Sequence, residues 1–284
     1  MLKITWFITS ALVMVGRTSA DWPADLLAEP FTTTTSDDQY DALCSGACDL
    51  AITAMDNVIG WNCRGGPDDF VILAQTERTN LLKVFARKGF RSLADLQGRN
   101  LLVDSAENGY VVVLQALMLD AGIRLGDYRM TPAGGVGQRF EALVADGGDA
   151  TLIAPPFDRA SEQAGLVMLA DAQMSYPAIP GQGLVVRRSV LKAKYDAIAR
   201  LLDLMRSALK RMRAEPAAVK ATLIAGGFPP PAADILVAIM PDSLVPDRAG
   251  IELLVDMRQR LGLPLGSASV DRLVDWECAR ALAQ

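Results

Sequence analysis

The 284-residue sequence contains no histidine. Histidine is the side chain that most often transfers protons near pH 7 and binds zinc, so its absence excludes Ser-His-Asp triads, Cys-His dyads and HExxH metal sites. Basic residues are also outnumbered, since 28 Lys and Arg stand against 33 Asp and Glu and give a net charge of −5. Nucleic-acid affinity depends largely on attraction between positive side chains and phosphates, so we expect no nucleic-acid partner.

Cysteine is also scarce, with four residues in the whole chain. Four cysteines are too few for a disulfide framework at this length. Cys44, Cys48 and Cys63 lie near one another in sequence, but no CxxC pair and no fourth ligand accompanies them. A structural zinc site needs four such ligands, so we predict three structural thiols, no bound metal and no cofactor.

The first twenty residues fit two interpretations. Lys3, an uncharged stretch and the small residues before Asp21 are typical of a secretory signal peptide, and the stretch is too short to span a bilayer. Alternatively, Leu2 to Ile8 form a first strand and Ala11 to Val15 begin a helix, an interpretation that we favour. The protein is periplasmic if this segment is a signal peptide or if the true start lies upstream. It is cytoplasmic if the chain as written is complete.

The remaining sequence predicts an α/β protein. Hydrophobic residues make up 51% of the chain and charged residues 21%, as in a globular protein with a substantial core. Apolar runs of strand length alternate with helical patterns from Leu26 to Arg187, which indicates mainly parallel sheets. The first of these runs, Leu26 to Thr33, predicts a strand. Beyond them the pattern is helical, with one long helix over Val190 to Ala214 and a last one over Val270 to Leu282.

Five segments in order carry a resemblance to a known family. They are DLAITAMDNVIGW at 49–61, NLLVDSAENGY at 100–110, the Gly134-Gly135 pair, GDATLIAPPFDRA at 148–160 and QGLVVRRS at 182–189. With them the chain resembles the NMT1/THI5-like group of type II periplasmic solute-binding proteins. The resemblance implies two α/β lobes, each a central mostly parallel sheet flanked by helices, with a helical C-terminal region. Lobe one would comprise residues 1–77 and 181–284, and lobe two residues 78–180.

Ligands of open α/β sheets bind beyond the carboxyl ends of the strands, beside helix N-termini. The predicted ligand-binding residues are those at or directly after such strand ends: Trp6, Thr9, Ser10, Ser36, Thr53, Met55, Asp56, Asn57, Ser105, Asn108, Gly109, Gly134, Gly135, Arg139 and Phe157.

Several of these residues have ordinary structural interpretations as well. Ser36, Asp56 and Ser105 are typical helix N-caps, and the glycine pair fits a plain turn. Trp6 and Phe157 fit a core as well as a stacking platform. Arg139 fits either a bidentate contact with a carboxylate or sulfonate, or a solvated helix face.

Two functions remain open at this point. The first is a monomeric solute-binding protein that captures a small organic ligand between its lobes and delivers it to an ABC permease. The second is a cytosolic enzyme on the same scaffold, a decarboxylase, dehydratase or desulfinase-like lyase that acts on a small acid. In the enzyme, Asp56 or Glu107 would be the general acid, with its pKa raised by an apolar cleft.

Overall fold

The computed structural model describes residues 1–282 and contains two five-stranded sheets. The first sheet has the strand order β2-β1-β3-β10-β4. Its strands are β1 (Ile4–Trp6), β2 (Phe31–Thr32), β3 (Leu50–Ala54), β4 (Phe70–Gln75) and β10 (Gln182–Arg187). Strand β10 is antiparallel to both of its neighbours, β3 and β4, so the other four strands share one direction.

The second sheet repeats this plan with the order β7-β6-β8-β5-β9. Its strands are β5 (Lys83–Ala86), β6 (Asn100–Val103), β7 (Arg129–Pro132), β8 (Ala150–Ile153) and β9 (Val167–Asp171). Here β5 is the strand that runs against its neighbours. In both sheets the reversed strand is the first one after the chain crosses from the other sheet. The predicted fold class, two mostly parallel sheets flanked by helices, is confirmed.

Fourteen α-helices and one short 3-10 helix (Leu93–Leu96) lie among the described residues, and the last seven α-helices form the helical C-terminal region. The α-helices are α1 (Ala11–Arg17), α2 (Ser36–Ser45), α3 (Asp56–Trp61), α4 (Gly109–Asp120), α5 (Val136–Val144), α6 (Phe157–Gln163), α7 (Ala172–Ser175), α8 (Arg188–Ala193), α9 (Tyr195–Ala214), α10 (Pro216–Ala225), α11 (Pro230–Ala238), α12 (Arg248–Leu261), α13 (Val270–Leu273) and α14 (Trp276–Leu282). None of them is both long and apolar enough to cross a membrane.

Two predicted helices are each divided in two. The chain leaves helical geometry at Lys194, with φ −125° and ψ 26°, and the Lys194 ammonium lies 2.8 Å from both carboxylate oxygens of Asp49. The last predicted helix is interrupted at Val274, which is extended and pairs with Ile72 of β4. In both places a contact with the first sheet interrupts the helix, which local helical periodicity does not reveal.

Other differences concern short elements. Helix α6, strand β9 and helix α7 were not predicted, because their sequences are short and lack a clear apolar period. The strand predicted from Leu26 to Thr33 contains only Phe31 and Thr32 as a regular strand, with a single bridge between Leu27 and Leu2.

The first residues form the predicted strand and helix. Strand β1 lies inside the first sheet between β2 and β3, and Leu2 and Ile4 are fully buried. Helix α1 packs against α9 and buries Val13 and Val15. This segment is therefore an integral part of the folded core.

Helix α4 connects the cores of the two sheets. Val112, Val113 and Leu114, three successive residues that point in different directions around the helix, are all buried. They are covered because α4 packs against α3, α7 and α12. One apolar cluster therefore extends from residues beside the first sheet to residues beside the second.

Candidate functional site

A cavity of about 260 Å³ lies between the two sheets. Phe7, Ile8 and Thr33 line it from beyond the ends of β1 and β2, and Asp104 lines it from beyond the end of β6. Such carboxyl ends of strands are where open α/β sheets bind ligands. A second, more apolar cavity of about 270 Å³ adjoins the first. The residues that line both cavities are Ile8, Leu82, Tyr110, Ala154 and Gln182.

Asp104 is the acidic group of the first cavity. Its Oδ2 accepts a hydrogen bond from Asn108 Nδ2, and its Oδ1 lies 3.8 Å from Arg139 Nη1. Its side chain is 13% exposed. Burial raises the pKa of Asp104, while the charge of Arg139 and hydrogen bonds from the Ser105 and Asp104 backbone N–H groups and from Asn108 lower it. The neighbours therefore offset only part of the cost of burying the Asp104 charge, and Asp104 lines the cavity.

Arg139 lines the same cavity, but its donors are directed at the protein. Nε donates to Thr151 Oγ1 at 3.2 Å, Nη1 to the Gly134 carbonyl at 2.8 Å and Nη2 to the Leu152 carbonyl at 3.2 Å. Burial lowers its pKa, an effect opposed by the charge of Asp104. Gly134 has φ +78°, a left-handed conformation that favours glycine. Arg139 thus fastens the start of α5 to β8.

Gln182 and Glu77 form the polar group shared with the second cavity. Gln182 Nε2 donates to Glu77 Oε1 at 2.8 Å, and the Gln182 backbone N–H donates to Glu77 Oε2 at 3.4 Å. Among residues 1–282, the buried Gln182 Oε1 has no hydrogen-bond partner. Burial raises the pKa of Glu77 to about 7 and, together with the charge of Glu77, raises the pKa of Tyr110 well above its usual value.

Five predicted site residues lie at these cavities. Asn108, Gly135 and Arg139 line the first, and Thr9 lines the second. Ser10 lines a small adjoining pocket of about 20 Å³. Gly134 contributes indirectly, through its carbonyl contact with Arg139. The contact of these residues with a ligand remains a prediction.

The predicted residues after β3 lie behind the cavities, where α3 meets α4. Asn57 Oδ1 accepts a hydrogen bond from the Gly109 backbone N–H at 2.7 Å, and Asn57 Nδ2 donates to Thr53 Oγ1 at 2.7 Å. Met55 is 1% exposed and packs in the core. These residues do not line a described cavity, because the N-terminus of α4 covers this end of the sheet.

The two carboxylates considered as general acids are also away from the cavities. Asp56 is 1% exposed and accepts two hydrogen bonds from Arg258, at 2.8 Å from Nε and 2.7 Å from Nη2. Burial raises the pKa of Asp56, against the effect of Arg258. Glu107 is 71% exposed and pairs with Arg64. Neither carboxylate lines either cavity.

The other predicted residues have structural contacts. Ser36 is buried in the first turn of α2, whose cap is instead Thr35, since Thr35 Oγ1 accepts from the Asp38 N–H at 3.1 Å. Ser105 Oγ donates to Asp37 Oδ2 at 3.1 Å. Trp6 is in the core, and Phe157 packs against Phe140 with ring centroids 5.6 Å apart. None of them lines a described cavity.

Sequence reasoning missed Asp104, Glu77 and Gln182. Asp104 is the last residue of the strand predicted over 100–104 and directly follows β6, so the rule of strand carboxyl ends points to it. Gln182 begins β10, and because β10 is antiparallel its first residue lies at the same edge of the sheet. That signal depends on strand direction, which the sequence does not provide. Glu77 lies in the segment that crosses between the sheets and carries no local signal.

The cysteines are free thiols. Cys48 is buried, Cys44 and Cys63 are half-buried, and burial raises the pKa of the Cys48 thiol to about 12. Within residues 1–282 no group of three or more cysteine, aspartate or glutamate side chains is arranged to hold a metal ion.

The sheet orders and the cavity between the sheets define the class of the protein, the two-lobed type II periplasmic binding protein fold. A model of the family described as NMT1/THI5 like matches residues 31–219, more than half of the chain. The chain therefore belongs to the NMT1/THI5-like family. No curated protein matches the sequence at a significant level.

Solved structures share this fold over nearly the whole chain. The alkanesulfonate-binding protein SsuA from Xanthomonas axonopodis pv. citri, bound to MOPS, superposes with a TM-score of 0.74 at 16% identity, covering 98% of this chain and 96% of that one. The ligand-binding component of an ABC-type import system from Staphylococcus aureus, with zinc bound, gives 0.80 at 17% identity, covering 99% and 98%. The periplasmic nitrate-binding protein NrtA from Synechocystis PCC 6803 gives 0.81 at 13% identity, covering 100% and 88%.

Proposed function

We propose that the protein is a solute-binding protein that captures a small organic molecule between its two lobes and delivers it to an ABC importer. The observation that carries this proposal is the cavity itself, which residues of both sheets line and which contains few polar groups. Pockets of this kind, apolar with a few placed polar side chains, are typical ligand sites. The similar structures named for sulfonate, nitrate and import-system ligands support the same role.

Capture would proceed by hinge closure of two lobes. Lobe one comprises residues 1–77 and 181–284, and lobe two comprises residues 78–180. Residues 283 and 284 lie outside the described part of the chain. The strand composition of the two sheets supports this division. Hinge closure around a ligand is the usual motion of periplasmic binding proteins. We propose a monomer that works outside the cytoplasmic membrane, as the periplasmic names of similar structures support.

The enzyme alternative lacks its proposed general acid, because a general acid must reach the reacting atom and neither Asp56 nor Glu107 lines the cavities. Glu77 does line the second cavity, and its pKa of about 7 suits proton transfer. The test of function therefore includes product analysis.

The test is capture from a small-molecule extract, followed by mass spectrometry of what the protein retains. A matched pair of variants locates the binding. Ala154→Trp fills the boundary of the two cavities, and Ala217→Trp adds the same side chain at an exposed position of α10.

We expect the wild-type protein and Ala217→Trp to retain the same small molecule, chemically unchanged after prolonged incubation, and Ala154→Trp to lose it. Retention by Ala154→Trp would place the ligand elsewhere. Conversion of the retained molecule by the wild-type protein would replace the solute-binding proposal with catalysis.

A further inference from the structure

The polar side chains of the two cavities differ in how their donors and acceptors are used. Each side-chain nitrogen of Asn108, Gln182 and Arg139 already donates a hydrogen bond within the protein. Asn108 Nδ2 donates to Asp104, Gln182 Nε2 donates to Glu77, and each guanidinium nitrogen of Arg139 donates to a protein oxygen.

The hydroxyl groups at the opposite wall follow the same pattern. Thr34 Oγ1 donates to Asp38 Oδ2 at 3.2 Å. Thr33 Oγ1 lies 3.3 Å from Thr5 Oγ1, so these two hydroxyls share one hydrogen bond. The threonines that line the first cavity are therefore engaged with the protein.

The acceptors, in contrast, retain capacity for a further donor, because a carboxylate offers about four lone-pair sites. Asp104 presents a carboxylate whose nearest cation, Arg139, is 3.8 Å away. Gln182 lines both cavities, and its buried Oε1 has no hydrogen-bond partner among the described residues. A buried acceptor without a donor is costly, by about the desolvation of a polar group, and a bound donor would remove that cost. Glu77 adds a second carboxyl group beside Gln182.

We propose that these cavities select a small organic amine, in which a cationic nitrogen faces Asp104 and Gln182 and an apolar body fills the adjoining space. This inference rests on the proposed solute-binding function and specifies its ligand class. The apolar body would lie in the second cavity, against Leu82, Phe228 and Ile235. An anion such as a sulfonate would instead meet the Asp104 carboxylate, whose like charge opposes its binding electrostatically.

One feature of the first cavity favours an anion. Within the described part of the chain, the N–H groups of Val136 and Gly137 at the start of α5 have no hydrogen-bond partner. Backbone N–H groups at a helix N-terminus attract negative charge. A direct comparison of cations and anions is therefore the decisive experiment.

The experiment is titration calorimetry with two series of probes matched in shape and differing in charge. The first series is phenethylamine, phenethyl alcohol and phenylmethanesulfonate, and the second is hexylamine, hexanol and pentanesulfonate. We expect each amine to bind at least about tenfold more tightly than its sulfonate, because the Asp104 carboxylate attracts an ammonium group and repels a sulfonate.

Variants then locate the preference. Asp104→Asn keeps the side-chain volume and removes the charge, and we expect it to weaken amine binding about 10- to 100-fold while leaving the alcohols unaffected. Glu77→Gln should weaken amine binding in the same direction. Asp146→Asn makes the same change of charge at a carboxylate that is 77% exposed and outside both cavities, and it should bind the amines like wild type.

Sulfonates that bind as tightly as the amines, or amine binding that Asp104→Asn leaves unchanged, would overturn the inference and leave the solute-binding proposal intact. If no probe of any charge binds, the inference fails. The capture experiment above then decides whether the solute-binding proposal fails as well.

Discussion

Removing the charge of Asp56 should destabilise the protein strongly, because Asp56 and Arg258 form a buried, bidentate ion pair. Asp56 is 1% exposed and Arg258 5%, and the pair joins α3 to α12 at 2.7 and 2.8 Å. Asp56→Asn leaves the Arg258 guanidinium buried without a counter-charge. Loss of one partner of a buried pair typically costs about 3–5 kcal/mol.

The assay is urea unfolding followed by tryptophan fluorescence, with an exposed pair as the control. Asp234 pairs with Lys220 at side-chain exposures of 58% and 38%, so Asp234→Asn should cost less than about 1 kcal/mol. The double variant Asp56→Asn with Arg258→Met should recover part of the loss, because it buries no lone charge. If Asp56→Asn costs no more than Asp234→Asn, the reasoning about this pair is wrong.

Two further predictions concern Glu77 and Gly109. Since burial raises the pKa of Glu77 from 4.5 to about 7, the folded protein holds this proton more tightly than the unfolded chain. The free energy of unfolding of the wild-type protein should therefore fall relative to that of Glu77→Gln as pH rises from 4.5 to 7, by at most about 3 kcal/mol. Urea unfolding at several pH values measures this difference. A difference between the two proteins that does not change with pH would contradict the prediction. In Gly109→Ala the new Cβ would lie 2.9 Å from Asp56 Cβ and 3.0 Å from the Asn57 nitrogen. We expect Gly109→Ala to lose about 1–3 kcal/mol of unfolding free energy in the same assay. Gly135→Ala, whose new Cβ has its nearest contact at 3.9 Å, should lose less. Equal losses in the two variants would refute the argument from crowding at Gly109.

The sequence predicts the regular elements of this fold well where apolar periodicity is strong. The sequence predicts strands over 70–75 and 182–187 and helices over 56–61 and 109–120. These are the observed bounds of β4, β10, α3 and α4. Elements whose limits depend on distant contacts were not predictable in this way. Lys194 interrupts a helix by pairing with Asp49, a residue 145 positions away.

The candidate site could be predicted only in part, because being at a strand end does not guarantee access to the cleft. Asn57 and Asn108 both follow strands, and only Asn108 lines a cavity. Asn57 instead binds the Gly109 N–H, since α4 packs on that end of β3. The packing of α4 between the two sheets is a tertiary feature, and it decides which predicted residues remain accessible.

The measurement that tests the central claim most directly is small-angle scattering of the purified protein with and without the molecule it captures. If two lobes close on a ligand in the cavity between the sheets, the radius of gyration should decrease at saturation, and Ala154→Trp, with its cavities filled, should show no ligand-dependent change. An unchanged radius of gyration for wild-type protein with that molecule bound would contradict capture by closure of the lobes.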